Sequence, residues 1–475
     1  MKLGKMNKNA ALALMLLMLV GPVGAQSLPQ DRLPQDRLPQ DRLPQEQVLP
    51  QTKAMTLQEC IAYALKNNED IAKAVYDQQI SENQVKEVKG SGLPQISGSG
   101  KLEYYPSLPT QILPGAMFGM ENDLPVQFGK DYNVQGGLQV SQLLFSKSFF
   151  IGLQAAKSAQ DLYQLRKEMT EEEVVYNISS SYLMILQTQE QFNIINANLE
   201  RLAQLEKILQ LQYENDLVKK VDLNRVKVNR VNLQNQKQSL TTGLEQQLNY
   251  LKFFMGMPLE QTIALNSEGG LGKNIIPLAS GAGINPDQKI EYRLLNKQKE
   301  LTDYQIKNIQ AGYYPTLAAY GNYSYLTQRN ELFASSSESP WFNTTVVGLQ
   351  LNVPIFDGFQ KRSKVRQAAL EVKKVDEDIK KLNKNTQVEV ENAISQLENS
   401  RMAIAAQEEN VALAQEVYDT SNQLYKEGIS PLTDLLEAEV SLREAQTNLN
   451  NEKLKNQIAQ LNYLKATGEI ASLTK

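Results

Sequence analysis

The 475-residue chain has no histidine and a single cysteine, Cys60. That excludes a histidine triad, a histidine general base and a histidine metal site. It also excludes an intramolecular disulfide and a CxxC metal or redox pair. Carboxylates, lysines and tyrosines remain. Asp434 and Glu437 are three residues apart, one turn on a shared face if 430–467 is helical. Two acids at a helix start are also what the macrodipole favours in a solvated first turn, and spacing alone does not choose between the two readings. Tyr425 precedes Asp434 by nine residues, as Tyr213 precedes Asp222. No nucleophile stands beside a base, so no catalytic residue, cofactor or metal is expected. Cys60 reads as an inert small helix residue. With 49 Lys+Arg against 53 Asp+Glu, the net charge of −4 gives no pull toward nucleic acid.

The N-terminus sets the compartment. Lys2, Lys5 and Lys8 form a basic region before the apolar run Ala10 to Val20, and Val23-Gly24-Ala25 offers small residues for cleavage. Residues 1–25 therefore read as a secretory signal, too short for a spanning helix of about 20 residues. No cysteine follows the cleavage point, so no lipoprotein anchor is expected. Removing the signal's three lysines moves the net charge from −4 to −7. Residues 26–54 carry the pentad LPQDR in tandem, with Pro29, Pro34, Pro39 and Pro44 at five-residue intervals. Regular proline forbids helix and predicts a semi-extended disordered tether. No run of 18 apolar residues follows, so any membrane-embedded part must be built of strands.

The body of the chain repeats with an offset of about 210 residues. LPQISGSGKLEY (93–104) lines up with YPTLAAYGNYSY (314–325), and GLQVSQLLFS (137–146) with GLQLNVPIFD (348–357). YENDLVKKVDL (213–223) lines up with YKEGISPLTDL (425–435), and LNYLK recurs at 248–252 and 461–465. That period is too long for a solenoid unit and indicates a duplicated half. Each half reads as helix, two strands, helical hairpin. The first repeat is 55–285, with strands near 93–105 and 132–145, a hairpin over 146–255 and an equatorial segment over 256–285. The second is 286–475, with strands near 313–326 and 343–356 and a hairpin over 358–467.

The strands alternate with period two. Ile96, Gly98, Gly100, Leu102 and Tyr104 oppose Ser97, Ser99, Lys101 and Glu103; Val134, Leu138 and Val140 oppose Gln135, Gln139 and Ser141. The second half repeats this, with Leu317, Ala319, Gly321, Tyr323 and Tyr325 against Tyr320, Asn322 and Ser324. Its other strand sets Val347, Leu349, Leu351 and Val353 against Gln350 and Asn352. One apolar and one polar face suits a membrane barrel with a wet interior, although a half-buried soluble sheet looks the same strand by strand. Four strands fall short of the roughly eight that a closed barrel needs, so either the sheet is open or several chains share one barrel.

Helices over 146–213 and 358–427 would each span about 100 Å at 1.5 Å per residue, lengths suited to coiled coils. Phe192, Ile195, Leu199, Leu202, Leu209 and Tyr213 keep a 3-4 spacing broken by Glu206. The shorter helices, 55–89, 218–255, 286–312 and 430–467, match one long helix when two are stacked end to end.

With its signal peptide and duplicated order, the chain resembles the TolC-type outer membrane factors, the outer-membrane efflux channels, over about residues 55–468. The resemblance rests on TLQECIAYALKNNEDI at 56–71, on the strand starts PQISGSG and PTLAAYG, on the strand exits LLFS and PIFD, and on the tips around Tyr213 and Tyr425. Cys60 stands where the family usually has alanine. The resemblance implies an α+β membrane protein working as a homotrimer. Four transmembrane β-strands per chain would make a shared twelve-stranded barrel in outer-membrane lipid, continued by an α-barrel of long antiparallel coiled-coil helices across the periplasm. It further implies a passive channel completing an efflux or secretion system, with a periplasmic adaptor and an inner-membrane transporter of the RND, ABC or MFS type. Asp434 and Glu437 match the family's acidic ring, and Asp222 with Tyr425 its gate-closing hydrogen bond. The tips carrying Asp216, Leu217, Val218, Gly428, Ile429 and Ser430 would dock the adaptor. The family's prototype has arginine where this chain has Ser430, which leaves open whether Lys219, Lys220 or Arg225 replaces it. Tyr104, Tyr105, Tyr323, Tyr325, Phe145 and Phe356 would form interfacial belts, and loops 106–131 and 327–342, the second with the lone Trp341, would face the exterior. The alternative is a periplasmic structural coiled coil with a small accessory sheet.

Overall fold

The computed structural model describes residues 54–266, 286–333 and 339–474. The expected signal peptide, the LPQDR tether up to residue 53, residues 267–285 of the equatorial segment and 334–338 of the second loop lie outside the described residues.

The chain enters at Met55, whose backbone pairs with Ala264 and Asn266. Thr56 then starts helix α1 (Leu57–Asn67) with a capping box: Glu59 N–H donates to Thr56 Oγ1 at 3.2 Å, and Thr56 N–H to Glu59 Oε2 at 2.9 Å. The sequence predicts one helix over 55–89, but the structure breaks it at Asn68. That residue is extended (ψ 131°), and its Oδ1 accepts the amides of Asp70 and Ile71 at the start of α2 (Glu69–Gly90). Its Nδ2 donates to the Phe254 carbonyl at 2.9 Å, so the break ties this joint to the chain near residue 254.

Strands β1 (Gln95–Tyr104), β4 (Tyr132–Ser146), β5 (Thr316–Arg329) and β6 (Phe342–Asn352) form one antiparallel sheet in the order β1-β4-β5-β6. The loop expected over 106–131 contains a short hairpin of β2 (Thr110–Leu113) and β3 (Leu124–Gln127). β5 runs three residues beyond its expected end. β6 stops at Asn352 rather than near 356, because Pro354 has no N–H to donate to a ladder. The register aligns Gly98, Leu138, Tyr323 and Thr345 across the sheet, and the adjacent row aligns Ser97, Gln139, Asn322 and Val346. One face is thus mostly apolar and the other mostly polar, with Val346, Leu326 and Phe342 on the polar side. A bulge between Leu143 and Phe145 inserts one residue and sets Phe145 opposite Leu317 on the apolar face. Neither face is covered: Val347, on the apolar face, is 83% exposed.

Ser146 ends β4 and caps α3 (Lys147–Glu214), which runs 68 residues, about 100 Å, without interruption. It returns as α4 (Lys220–Met255). In the second half, α5 (Ile290–Ala311) precedes β5, and the hairpin is α6 (Gln360–Lys426) with α7 (Leu432–Thr467). α4 and α7 pack along α3 and α6; α2 and α5 also lie against α3, and α5 reaches α6.

Two larger cores hold the described helices, beside a smaller cluster of Val390, Ala393 and Leu397 of α6 with Ala459, Tyr463 and Ala466 of α7. One joins α1, α3 and the ends of α4 and α7 through Cys60, Ile178, Leu183, Leu251, Met255, Leu461 and Ile470. The other lies toward the hairpin turns, where Ile195, Leu202 and Leu209 recur every seven residues on α3 against Val226 and Leu233 of α4. Seven-residue spacing is a coiled-coil seam. Glu206, which interrupts the apolar pattern, pairs with Arg230 of α4 at 2.7 Å.

Candidate functional site: the two hairpin tips

The turn from α3 to α4 and the turn from α6 to α7 share one backbone plan. In the first, Asp216 takes a left-handed conformation (φ 57°) and the Leu217 amide donates to Gln212 O at 2.9 Å. In the second, Gly428 is left-handed (φ 72°) and the Ile429 amide donates to Leu424 O at 2.9 Å. Both are Schellman-type helix ends. The equivalent residues are 212 apart, the offset that aligns Tyr213 with Tyr425. Glycine was the legible signal only in the second turn; an aspartate does the same work in the first. Leu217 (74% exposed) and Ile429 (68%) cap the two turns as bare apolar side chains, with Val218 half-buried behind the first.

Asp434 and Glu437 stand together on the exposed face of the first turns of α7, while Leu432, Leu435 and Leu436 bury the opposite face. Asp434 Oδ2 accepts a hydrogen bond from Ser430 Oγ at 2.9 Å, so Ser430 secures one of the two acids. Asp222 starts α4 half-buried and pairs with Arg225 at 3.5 Å. Lys219 and Lys220, the other two cations considered there, form no ion pair with it. Tyr425 is half-buried in the second core, and burial, with the Asp222 charge as the lesser cause, pushes its hydroxyl pKa up. The structure therefore brings Asp222 and Tyr425 close enough to interact by charge; within one chain no hydrogen bond joins them. Sequence reasoning missed Glu439, two residues beyond Glu437 on the buried face. Burial raises its carboxyl to about 7 against the pull of Arg443 and Arg201.

The aromatic residues sort by end of the sheet. Tyr104 stacks on Tyr132 at 4.8 Å, and Tyr323, Tyr325 and Trp341 cluster through edge contacts at 5.3 and 6.4 Å. At the helix side, Phe356 meets Phe359 at 5.4 Å. Among the described residues no group of acids and cysteine is placed to hold a metal, and no helix is long and apolar enough to cross a membrane.

Residues 296–469 match the family model described as outer membrane efflux protein. Outer membrane protein TolC of Escherichia coli (strain K12) is 22% identical over 430 residues, 88% of this chain and 83% of that protein. Two solved structures share the fold. The outer membrane protein VceC of Vibrio cholerae gives a TM-score of 0.66 at 14% identity, covering 87% of this chain and 96% of that one. CusC, described in terms of transmembrane channel formation, gives 0.68 at 18%, covering 91% and 98%. In its order of elements, in the family match over residues 296–469 and in its likeness to TolC along most of its length, the chain is similar to the outer membrane efflux proteins.

Proposed function

We propose that three copies of this chain close a twelve-stranded barrel in the outer membrane and continue it as a helical tunnel across the periplasm. The channel conducts passively, receiving substrate from a periplasmic adaptor and an inner-membrane transporter of the RND, ABC or MFS type. The observation that carries this reading is the pairing of opposite ends on one helix. α3 leaves an uncovered sheet with an apolar face at Ser146 and ends about 100 Å away in a tip with bare apolar and acidic residues. Strands of 10 to 15 residues suit a tilted membrane crossing, which takes about 9–11.

At the tips, Asp434 and Glu437 of three chains would gather six carboxylates around the pore, attracting cations and repelling anions. Asp222 and Tyr425 hold the neighbouring helix pairs together in the closed state, and Leu217, Val218, Gly428, Ile429 and Ser430, with Asp216, receive the adaptor. Ion conductance in planar bilayers and a heat-sensitive trimer band from outer-membrane fractions are the expected results. A protein found only in the soluble periplasmic fraction would sink the channel. Asp222→Ala and Tyr425→Phe should each make the channel leakier; unchanged conductance and antibiotic uptake in both would remove the gate assignment.

A further inference from the structure

A buried carboxylate and a half-buried guanidinium share the layer between α3, α6 and α7 without forming an ion pair. Glu439 of α7 is 6% exposed, and its Oε1 is buried with no hydrogen-bond partner. Arg201 of α3 reaches the same layer. Its Nη2 donates to Asn198 Oδ1 at 2.8 Å and its guanidinium lies over the Tyr418 ring of α6 at 5.2 Å, yet its Nε is also buried and unpartnered. Leu202, Leu435 and Leu436 flank the pair and keep the surroundings apolar. The charged and titratable groups facing Glu439 are Arg201 from α3, Tyr418 from α6, and Arg443 one turn along α7 itself; Asp419 acts on Tyr418.

A buried carboxylate short of its countercharge can be relieved in two ways. It can hold a proton, which suits the packing seen here, or α7 can move against α3 until carboxylate and guanidinium pair. These are two discrete arrangements of one helix contact, and α7 carries Asp434 and Glu437 on its first turns. We propose that Glu439 and Arg201 form a proton-operated latch that sets the position of the second tip relative to the first. The latch rests on reading the tips as the gate, and it adds a regulator to that gate. Burial, the dominant influence on Glu439, favours the neutral acid. The packing seen here is therefore fully favoured at acid pH and weakens as pH rises through about 7.

The test uses the full-length protein in detergent, spin-labelled at Leu217→Cys and Ile429→Cys, with the distance between tips followed from pH 5 to 8.5. The buried Cys60 stays unlabelled. The unmodified latch should change that distance with a midpoint near 7. Glu439→Gln, which mimics the protonated acid, should hold the acid-side distance throughout. Arg201→Met, which takes away the countercharge on α3 and leaves Arg443 in place, should raise the midpoint. A pH response that survives in Glu439→Gln, or tips that do not respond in the parent, would overturn the latch. Bilayer conductance separates the two ideas: if the distances follow Glu439 while conductance stays flat, the latch stands and the tips are not the gate.

Discussion

Leu138 and Gln139 are neighbours in the middle of β4 and point to opposite faces of the sheet. Leu138 sits between Gly98 and Tyr323 and is 55% exposed; Gln139 sits between Ser97 and Asn322 and is also exposed. If the apolar face meets lipid, Leu138→Arg places a guanidinium near the bilayer midplane at a cost of about 2–4 kcal/mol per chain. In the proposed trimer three such charges share one barrel, roughly 6–12 kcal/mol, comparable to the whole stability of a typical domain at about 5–15 kcal/mol. Gln139→Arg puts the same group on the wet side of the same backbone segment and should cost under about 1 kcal/mol, altering ion selectivity instead. Leu138→Ala is the control for lost side-chain volume. Heat-sensitive trimer in outer-membrane fractions and the urea midpoint of the extracted protein read the result. Loss with Leu138→Arg alone is expected. Equal loss in both arginine variants, or a worse one at Gln139, would refute the assignment of faces.

Gly256 and Gly428 are both left-handed, but a Cβ on Gly256 would collide with Asn67 O while Gly428 faces open space. Gly428→Ala should cost about 1–2 kcal/mol from conformation alone, and Gly256→Ala clearly more; equal urea midpoints would contradict this packing. The Cys60 thiol, buried and pushed up to about 12 mainly by burial, should resist maleimide at pH 8 until the protein unfolds, and rapid labelling of the native protein would count against the core at α1. Burial first, and then Glu291, lifts the Glu172 carboxyl to about 7, so the folded chain holds an extra proton between its ordinary 4.5 and 7 and loses stability as pH rises through that window. Glu172→Gln should raise the urea midpoint at pH 8 and leave it unchanged at pH 4; a reversed pattern would show that Glu172 is stabilised as a carboxylate.

The parts legible in the sequence are those where one periodicity decides the outcome. The end of α3 follows from the 3-4 spacing over 192–213 and the strands follow from alternation, since the two periods call for different backbones. The parts that were not legible depend on partners far along the chain. The break at Asn68 had a local signal, an Asn followed by two acids, but the helical pattern on either side outweighed it. The polar stripe on α7 gave no signal at all. Asn450, Asn456 and Gln460 are of residue types usually found in water, yet they are buried, with Asn450 donating to Gln187 O at 2.9 Å and Asn456 to Ser400 Oγ at 2.9 Å. Such bonds are satisfied in only one register of α7 against α3 and α6, so the stripe aligns helices that apolar seams would let slide. Glu439 was hidden for the same reason: among Asp434, Glu437 and Glu439 the spacing shows three acids, and only packing shows which one is inside.

The sheet's polar face supports the proposed number of copies. Four strands leave β1 and β6 as open edges of 10 and 11 residues, lengths that can pair with one another between copies. An exposed edge of that length invites pairing, and closure is the arrangement that removes it. Two copies would make eight strands, but an eight-stranded barrel has an interior just wide enough to be filled by side chains. The face that would line it here carries Ser97, Ser99, Gln135, Gln139, Asn322 and Ser324, polar side chains suited to water. A water-filled lumen would need more than eight strands, and the proposed trimer, with four per chain, would supply twelve. The same count serves the helices, since α3, α4, α6 and α7 give four per chain beside the tips. The exposed apolar residues of α6, Leu370, Val388, Ile394, Leu413 and Val417, then fall where a neighbouring chain is needed to cover them.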